Sequence, residues 1–253
     1  MKIAVCVKAV PDAASGRRID PATKRLDRSG ELAISDFDTY AVEEALKLKE
    51  RAGDGEVVVV SMGPERAMDA LRKALAMGAD RAVLISDPSL EGSDLLGTAG
   101  ALAGALEQEG ADLVLFGQQS ADGGGAVLWA AVAERLRQPV ISQVSELTAE
   151  GGSVTGKRQT EFGYDSIRAP LPAVVAVSDA INTPRYPSLK GIMGAKKNPQ
   201  ATLSAGDVGG AGGPGTIVLE LSPPPPRGEA RKIEDDGTAA EKIVEFLAEK
   251  RLV

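Results

Sequence analysis

Apolar stretches of two kinds alternate along this chain. Glu56–Met62 is an uninterrupted, largely β-branched run that ends at Gly63-Pro64, as expected of a strand buried on both faces. After Ser35 or Asp36, either of which can serve as an N-cap, apolar residues instead recur at the spacing of one helix face. This alternation predicts a doubly wound, mainly parallel α/β sheet. The predicted strands are Ile3–Val10, Glu56–Met62, Arg81–Ser86 and Asp112–Gly117, and the predicted helices begin near Ser35, Pro64, Leu95 and Gly125.

The remaining segments do not follow this alternation of strands and helices. The polar stretch from Asp12 to Leu32 can hold a hairpin, and the region after Pro139 predicts a β-hairpin lying against the same sheet. Residues 205–215 contain six glycines, which is typical of a linker, and a helix is predicted over about 237–250. We therefore expect an α/β nucleotide-binding domain over 1–200 and a linker with a C-terminal arm over 201–253.

Composition narrows the possible functions. Apolar residues make up 43% of the chain and aromatic residues 3%, so Ala, Val, Leu and Ile must form the core. The net charge of −7 without a basic run argues against nucleic acid as a partner. The absence of histidine excludes Ser-His and Cys-His catalysis and most zinc sites. No apolar run is long enough for membrane insertion, and the single cysteine, Cys6, fits a reducing cytoplasm.

In an open parallel sheet, ligands bind beyond the carboxyl ends of the strands. The best phosphate-loop candidate there is Gly117–Gly125, because its adjacent glycines allow the backbone to approach a phosphate closely. It matches neither Gly-x-x-x-x-Gly-Lys-Ser/Thr nor Gly-x-Gly-x-x-Gly, so spacing alone leaves nucleotide binding and a flexible turn equally open. Cys6 lies mid-strand and is predicted to be core. The spacing of Asp12, Asp36, Asp38 and Asp122 fits no metal site, and surface capping explains most of them.

The segment 183–197 carries four cations and no acid within an otherwise acidic chain. It is either a solvated loop with a short helix or a partner-docking surface, in which apolar side chains supply affinity and charges supply steering. The candidate docking residues are Arg185, Tyr186, Leu189, Ile192, Met193, Lys196 and Lys197.

Together these segments resemble the electron transfer flavoprotein β-subunit family, in family order, from residue 1 to about 200. The stretches that carry the resemblance are Val7–Asp12, Tyr40–Leu46, Leu71–Asp80, Asp112–Gly117 and, above all, Pro184–Met193 with Ala195–Lys197.

The resemblance implies a Rossmann-like, adenine-nucleotide-binding fold and an electron carrier without catalytic side chains. It implies a heterodimer whose α-subunit holds the redox FAD and which passes electrons from flavin-containing dehydrogenases to an acceptor such as a membrane quinone oxidoreductase. This subunit would bind AMP or, in electron-bifurcating relatives, a second FAD. Leu189 matches the anchor of the family's recognition loop. The positions that correspond to nucleotide-binding segments are Cys6, Ser35, Met62, Gly117, Asp122, Gly123, Gly124, Gly125, Ala126, Val127 and Leu128.

Two departures keep other functions open. Ser35 stands where the family usually has Asn, and Trp129 stands where Gly is common. The alternatives are a stand-alone adenine-nucleotide binder or adenylating enzyme of a similar fold, and a structural subunit that has lost its nucleotide. Adenylating enzymes of the related type carry Ser-Gly-Gly-x-Asp-Ser, whereas this chain has Ser120–Gly125 without a lysine beside it.

Overall fold

Three of the four predicted strands lie in a single nine-stranded sheet. The fourth, Ile3–Val10, is divided: Lys2–Cys6 belongs to that sheet, whereas Ala9–Pro11 pairs with Leu32–Ile34 in a separate two-stranded sheet. The structure is a computed structural model and describes residues 1–210, 214–226 and 230–253. The strands are β1 (Lys2–Cys6), β2 (Ala9–Pro11), β3 (Ile19–Asp20), β4 (Arg25–Leu26), β5 (Leu32–Ile34), β6 (Glu56–Met62), β7 (Arg81–Ile85), β8 (Leu113–Gly117), β9 (Val140–Glu150), β10 (Ser153–Thr160), β11 (Gly163–Pro170), β12 (Ala173–Val177) and β13 (Gln200–Leu203).

The large sheet has the order β11-β10-β9-β12-β8-β1-β6-β7-β13. All neighbouring pairs from β9 to β13 in this order run parallel, and β10 and β11 extend one edge in the antiparallel sense. The chain places β6 and β7 on one side of β1 and then crosses to place β8 on the other side. This reversal creates a switch point between β1 and β8, where an open α/β sheet forms its ligand crevice.

Helices cover both faces of the sheet, which confirms the doubly wound fold. The helices are α1 (Asp36–Ala52), α2 (Met68–Met77), α3 (Leu95–Glu109), α4 (Leu128–Leu136), α5 (Leu189–Gly194) and α6 (Ala239–Glu249). One core lies between the sheet and α1 and α2, and a second lies between the sheet and α3 and α4. Successive side chains of a strand point to opposite faces, so Val5 packs in the first core and Cys6 in the second.

Several details differ from the sequence-based expectations. The helix expected from Gly125 begins only at Leu128, because 124–127 are irregular. Pro64 precedes a 3-10 turn, and α2 begins at Met68. The segment after Pro139 does not lie against the sheet but continues it through β9, β10 and β11. The hairpin expected before Leu32 is present as β3 and β4. The strand β13, paired with β7, was not foreseen.

The chain forms two compact units, Met1–Leu219 and Glu220–Val253. The first contains the whole sheet and α1 to α5, and the second contains α6. The functional division into 1–200 and 201–253 stays a prediction. Among the described residues, no helix combines the length and apolar character needed to cross a bilayer.

Candidate functional site

A crevice of about 1350 Å³ lies at the carboxyl ends of β1, β6, β7 and β8. Its position is the switch point of the sheet, where the sequence predicted a ligand site. Most of the residues predicted to bind a nucleotide line it, together with Lys8, Arg28 and Asp38. The predicted residues that line it are Cys6, Met62, Gly117, Gly123, Gly125, Ala126, Val127 and Leu128.

The loop between β8 and α4 presents its backbone to this crevice. Gly117 allows a close approach to α1, because a Cβ atom there would lie 2.5 Å from the carbonyl carbon of Phe37. Gly124 has a φ of +59°, which a β-branched side chain disfavours. Within the described part of the chain, the backbone N–H groups of Gly125, Ala126 and Val127 donate no hydrogen bond. Free N–H groups that lead into the N-terminus of α4 suit an anion such as a phosphate.

Ser35 occupies the N-cap position of α1, as predicted, but its side chain makes no capping hydrogen bond. The Oγ atom instead accepts a hydrogen bond of 3.1 Å from the backbone N–H of Ala121. Ser35 is fully buried and does not line the crevice. Its link to the candidate site is therefore indirect, through the position of the loop.

Asp122 is part of this loop but does not line the crevice, and its carboxylate binds two cations. Its carboxylate accepts a hydrogen bond of 2.8 Å from Lys8 Nζ and another from Arg28, and its side chain is 1% exposed. Burial alone would raise the pKa of Asp122, but the two cations hold that pKa well below its usual range. Sequence analysis did not foresee this cluster, although Lys8 was visible as a charge that interrupts an apolar strand.

Asp38 is also buried, which corrects its interpretation as a surface cap. Its Oδ2 atom accepts a hydrogen bond of 2.7 Å from the backbone N–H of Lys8, so α1 is joined to the end of β1. Burial raises the pKa of Asp38 to about 7, against the opposing effect of hydrogen bonds from Lys8 and Gly117. Among the described residues, no group of acids and cysteine is arranged to hold a metal ion.

Cys6 and Trp129 form part of the crevice wall on the α3 and α4 side of the sheet. Burial, and secondarily the charge of Asp38, raise the pKa of the Cys6 thiol, so it stays protonated at neutral pH. The indole N–H of Trp129 donates a hydrogen bond of 3.1 Å to the carbonyl oxygen of Gln118. The indole is thus fixed across the base of the loop.

The predicted docking segment forms a separate surface, and none of its residues lines the crevice. Tyr186 is 96% exposed, Leu189 81% and Met193 77%, and Ile192 is also exposed. The segment contains the short helix α5, which contacts α2. Lys196 and Lys197 follow it and are exposed, whereas Arg185 is turned inward toward α1.

A model of the electron transfer flavoprotein domain matches residues 23–208. Proteins named electron transfer flavoprotein subunit beta match the chain over its length. The chain belongs to the electron transfer flavoprotein β-subunit family. The protein of that name from Mycobacterium tuberculosis is 40% identical, over 99% of both chains. The one from Megasphaera elsdenii is 37% identical, over 100% of both chains.

Another relative within this electron transfer flavoprotein group is named caffeyl-CoA reductase-Etf complex subunit CarD, from Acetobacterium woodii. It is 36% identical, over 99% of this chain and 97% of its own length. The family match contains the loop Gly117–Leu128 and the segment 183–197. It therefore covers both candidate surfaces.

Proposed function

We propose that this chain is the β-subunit of a two-subunit electron transfer flavoprotein. In this proposal the α-subunit holds most of the redox FAD, which accepts and donates the electrons. The complex takes electrons from flavin-containing dehydrogenases and passes them to an acceptor such as a membrane quinone oxidoreductase. We place it in the cytoplasm, on the basis of the single, reduced and buried Cys6.

The observation that carries the proposal is the set of free backbone N–H groups at the switch-point crevice, in a chain related throughout to β-subunits. We propose that this crevice holds AMP. The N–H groups of Gly125 to Val127 would bind its phosphate, and the two cations beside Asp122 would add positive charge. Asp122 would act through Lys8 and Arg28, since its own oxygens already accept their hydrogen bonds.

The chemistry of the crevice supports a carrier role over an adenylating enzyme. The thiol of Cys6 is protonated, and the carboxylate of Asp122 is bound by two cations. The loop 123–128 contributes glycine and apolar side chains, so it offers backbone groups and not a nucleophile or general base. Asp38 also lines the crevice, but its carboxyl group is buried and accepts a hydrogen bond from the backbone N–H of Lys8, which joins α1 to β1. These residues can hold a nucleotide, but they are poorly suited to transform one.

A second candidate is a β-subunit that binds FAD in place of AMP, as in an electron-bifurcating flavoprotein. The size of the crevice favours it, because 1350 Å³ exceeds the roughly 300 to 1,000 Å³ of ordinary small-molecule sites. The crevice extends past β6 to the residues that follow β7 and to the β3–β4 hairpin. A ligand larger than AMP could therefore contact both the residues that follow β7 and the β3–β4 hairpin.

Analysis of the bound cofactors tests both candidates. The chain is produced with its α-subunit, the complex is denatured, and released flavin and adenine nucleotide are counted by chromatography. We expect one FAD and one AMP per complex, and a colourless chain when it is purified alone. Two FAD per complex would establish the second candidate. A complex with FAD but no second nucleotide would contradict the crevice assignment and favour a structural subunit.

A further inference from the structure

Two sequence motifs that are far apart in the chain meet in one polar cluster. Glu43 and Glu44 of α1 carry carboxylates that are almost completely buried. The side chain of Asn182 donates hydrogen bonds of 3.1 Å to the carbonyl oxygen of Tyr40 and to Glu44. Three residues later, Arg185 bonds Glu43. The helix α1 therefore holds the start of the docking segment.

Arg185 is the strongest part of this connection. Its Nε atom lies 2.8 Å and its Nη2 atom 3.0 Å from the two carboxylate oxygens of Glu43, so the pair is bidentate. Its Nη1 atom lies 2.6 Å from Glu50, and its backbone N–H also donates to Glu43, at 3.1 Å. Charge-assisted, bidentate hydrogen bonds fix direction as well as distance, and they constrain the backbone at residue 185 here.

The residues that follow have little internal means of keeping their shape. Tyr186 is almost fully exposed, and α5 has only six residues, too few to be stable as an isolated helix. None of the residues of α5 is buried. Order in this segment must therefore come from the structure that supports it, which is α1 at Arg185, α2 beneath Gly191 and the first core around the buried side chain of Ala195.

We infer that Arg185 and Glu43 are positioning residues for the docking surface, defined as the exposed side chains of Tyr186, Leu189, Ile192 and Met193. This inference rests on the proposed function, in which a flavin-containing dehydrogenase binds that surface. A surface that is already ordered loses less conformational entropy when a partner binds. The role of Glu43 is then to hold Arg185 in place, so that the docking surface is ordered before its partner binds.

The test compares Arg185→Met and Arg185→Lys in the complex with the α-subunit. Arg51→Met and Arg51→Lys are the matched controls. Arg51 lies on α1, the helix that also carries Glu43, and it bonds the buried carboxylate of Glu44 at 2.8 Å. Among the described residues, Arg51 makes no hydrogen bond to 183–197. Amide hydrogen exchange over residues 186–195 measures order. The rate of flavin reduction by a dehydrogenase that reduces the wild-type complex, at varied complex concentration, measures docking.

For Arg185→Met we expect at least about tenfold faster exchange and an apparent KM for the complex at least about tenfold higher, since the loss of even one of its charge-assisted hydrogen bonds supplies that factor. The maximal rate and the flavin spectrum should stay near wild type. In Arg185→Lys, the exchange rate and the apparent KM should both return part of the way to their wild-type values. The Arg51 variants should change neither the exchange rate nor the KM. Unchanged exchange in both Arg185 variants would overturn the inference. Faster exchange with an unchanged KM would also overturn it, while Leu189→Ala separately reports whether the surface docks at all.

Discussion

Gly191 of α5 packs directly against the backbone of α2, so that a Cβ atom on this residue would overlap the carbonyl oxygen of Ala76. Gly194, in the same short helix, has no atom within 4 Å of the equivalent position. The two glycines therefore mark the inner and outer sides of α5. This difference gives a direct way to displace the docking surface without altering its side chains.

Gly191→Ala should move α5 away from α2, because the clash is with backbone and cannot be relieved by a side-chain rotation. We expect slower reduction by the dehydrogenase and a loss of about 1 to 3 kcal/mol in the free energy of unfolding. Gly194→Ala is the matched control and should leave both close to wild type. Stopped-flow reduction and denaturant unfolding measure the two effects. Equal behaviour of the two variants would refute the proposed contact.

Leu189→Ala should slow electron transfer from the dehydrogenase strongly while the melting temperature and bound flavin stay near wild type. Leu189 is 81% exposed, so its truncation removes little packing within the chain. A docking anchor that enters a partner pocket contributes about 2 kcal/mol or more, against about 0.5 kcal/mol for an ordinary surface residue. A large drop in melting temperature with an unchanged transfer rate would mean that Leu189 serves the fold only.

Trp129 is the only tryptophan in the chain and lines the crevice. AMP bound beside the loop should therefore change the indole emission of the isolated chain saturably. Titration with AMP measures this change, and the same titration with ribose 5-phosphate tests whether the base is needed. If calorimetry detected AMP binding while the emission stayed constant, the nucleotide would lie elsewhere.

Gly124→Val should weaken AMP binding by about 1 to 3 kcal/mol, because a β-branched residue is strained at a φ of +59° and the loop must adjust. Gly152→Val is the control for strain, since Gly152 has a φ of +72°, equally open surroundings and a position in the β9–β10 turn. Calorimetric titration compares the affinities. Similar affinities for both variants would count against the loop as the phosphate site.

Asp38 predicts a pH dependence of stability. Its pKa is about 7 in the folded chain and near its ordinary value of about 4 when unfolded, so the folded state binds the extra proton between these values. The contribution of Asp38 to the free energy of unfolding should therefore fall as the pH rises from about 4 to about 7, and then level off.

Asp38→Asn should lack this contribution, because the amide keeps an acceptor for Lys8 but does not ionise. Relative to wild type, the variant should become more stable as the pH rises through this window. Urea unfolding at several pH values gives the measurement, with Asp36→Asn, an exposed carboxylate in the same helical turn, as control. A difference between Asp38→Asn and wild type that stays constant with pH would contradict the assignment.

Local sequence determined the alternation of elements and the place of the crevice. The β-branched run at Glu56–Met62 specifies a buried strand, and carboxyl ends of parallel strands share one edge by geometry. The glycines of the β8–α4 loop and the acid-free segment 183–197 were visible because their composition is unusual over a few residues. The short-range signals of periodicity, turn chemistry and composition were sufficient for these features.

Tertiary structure decided which groups meet. Arg185 bonds a carboxylate 142 residues away, and Lys8 bonds Asp122 across 114 residues. The strand β13 exists because its backbone pairs with β7, although its four residues are too few to give a strand pattern of their own. Side-chain partners of this kind depend on the register and packing of distant elements, which no local pattern encodes. The periodicity of the sequence thus predicts the helices and strands. The roles of Asp122, Ser35 and Arg185 depend instead on the residues that folding places beside them.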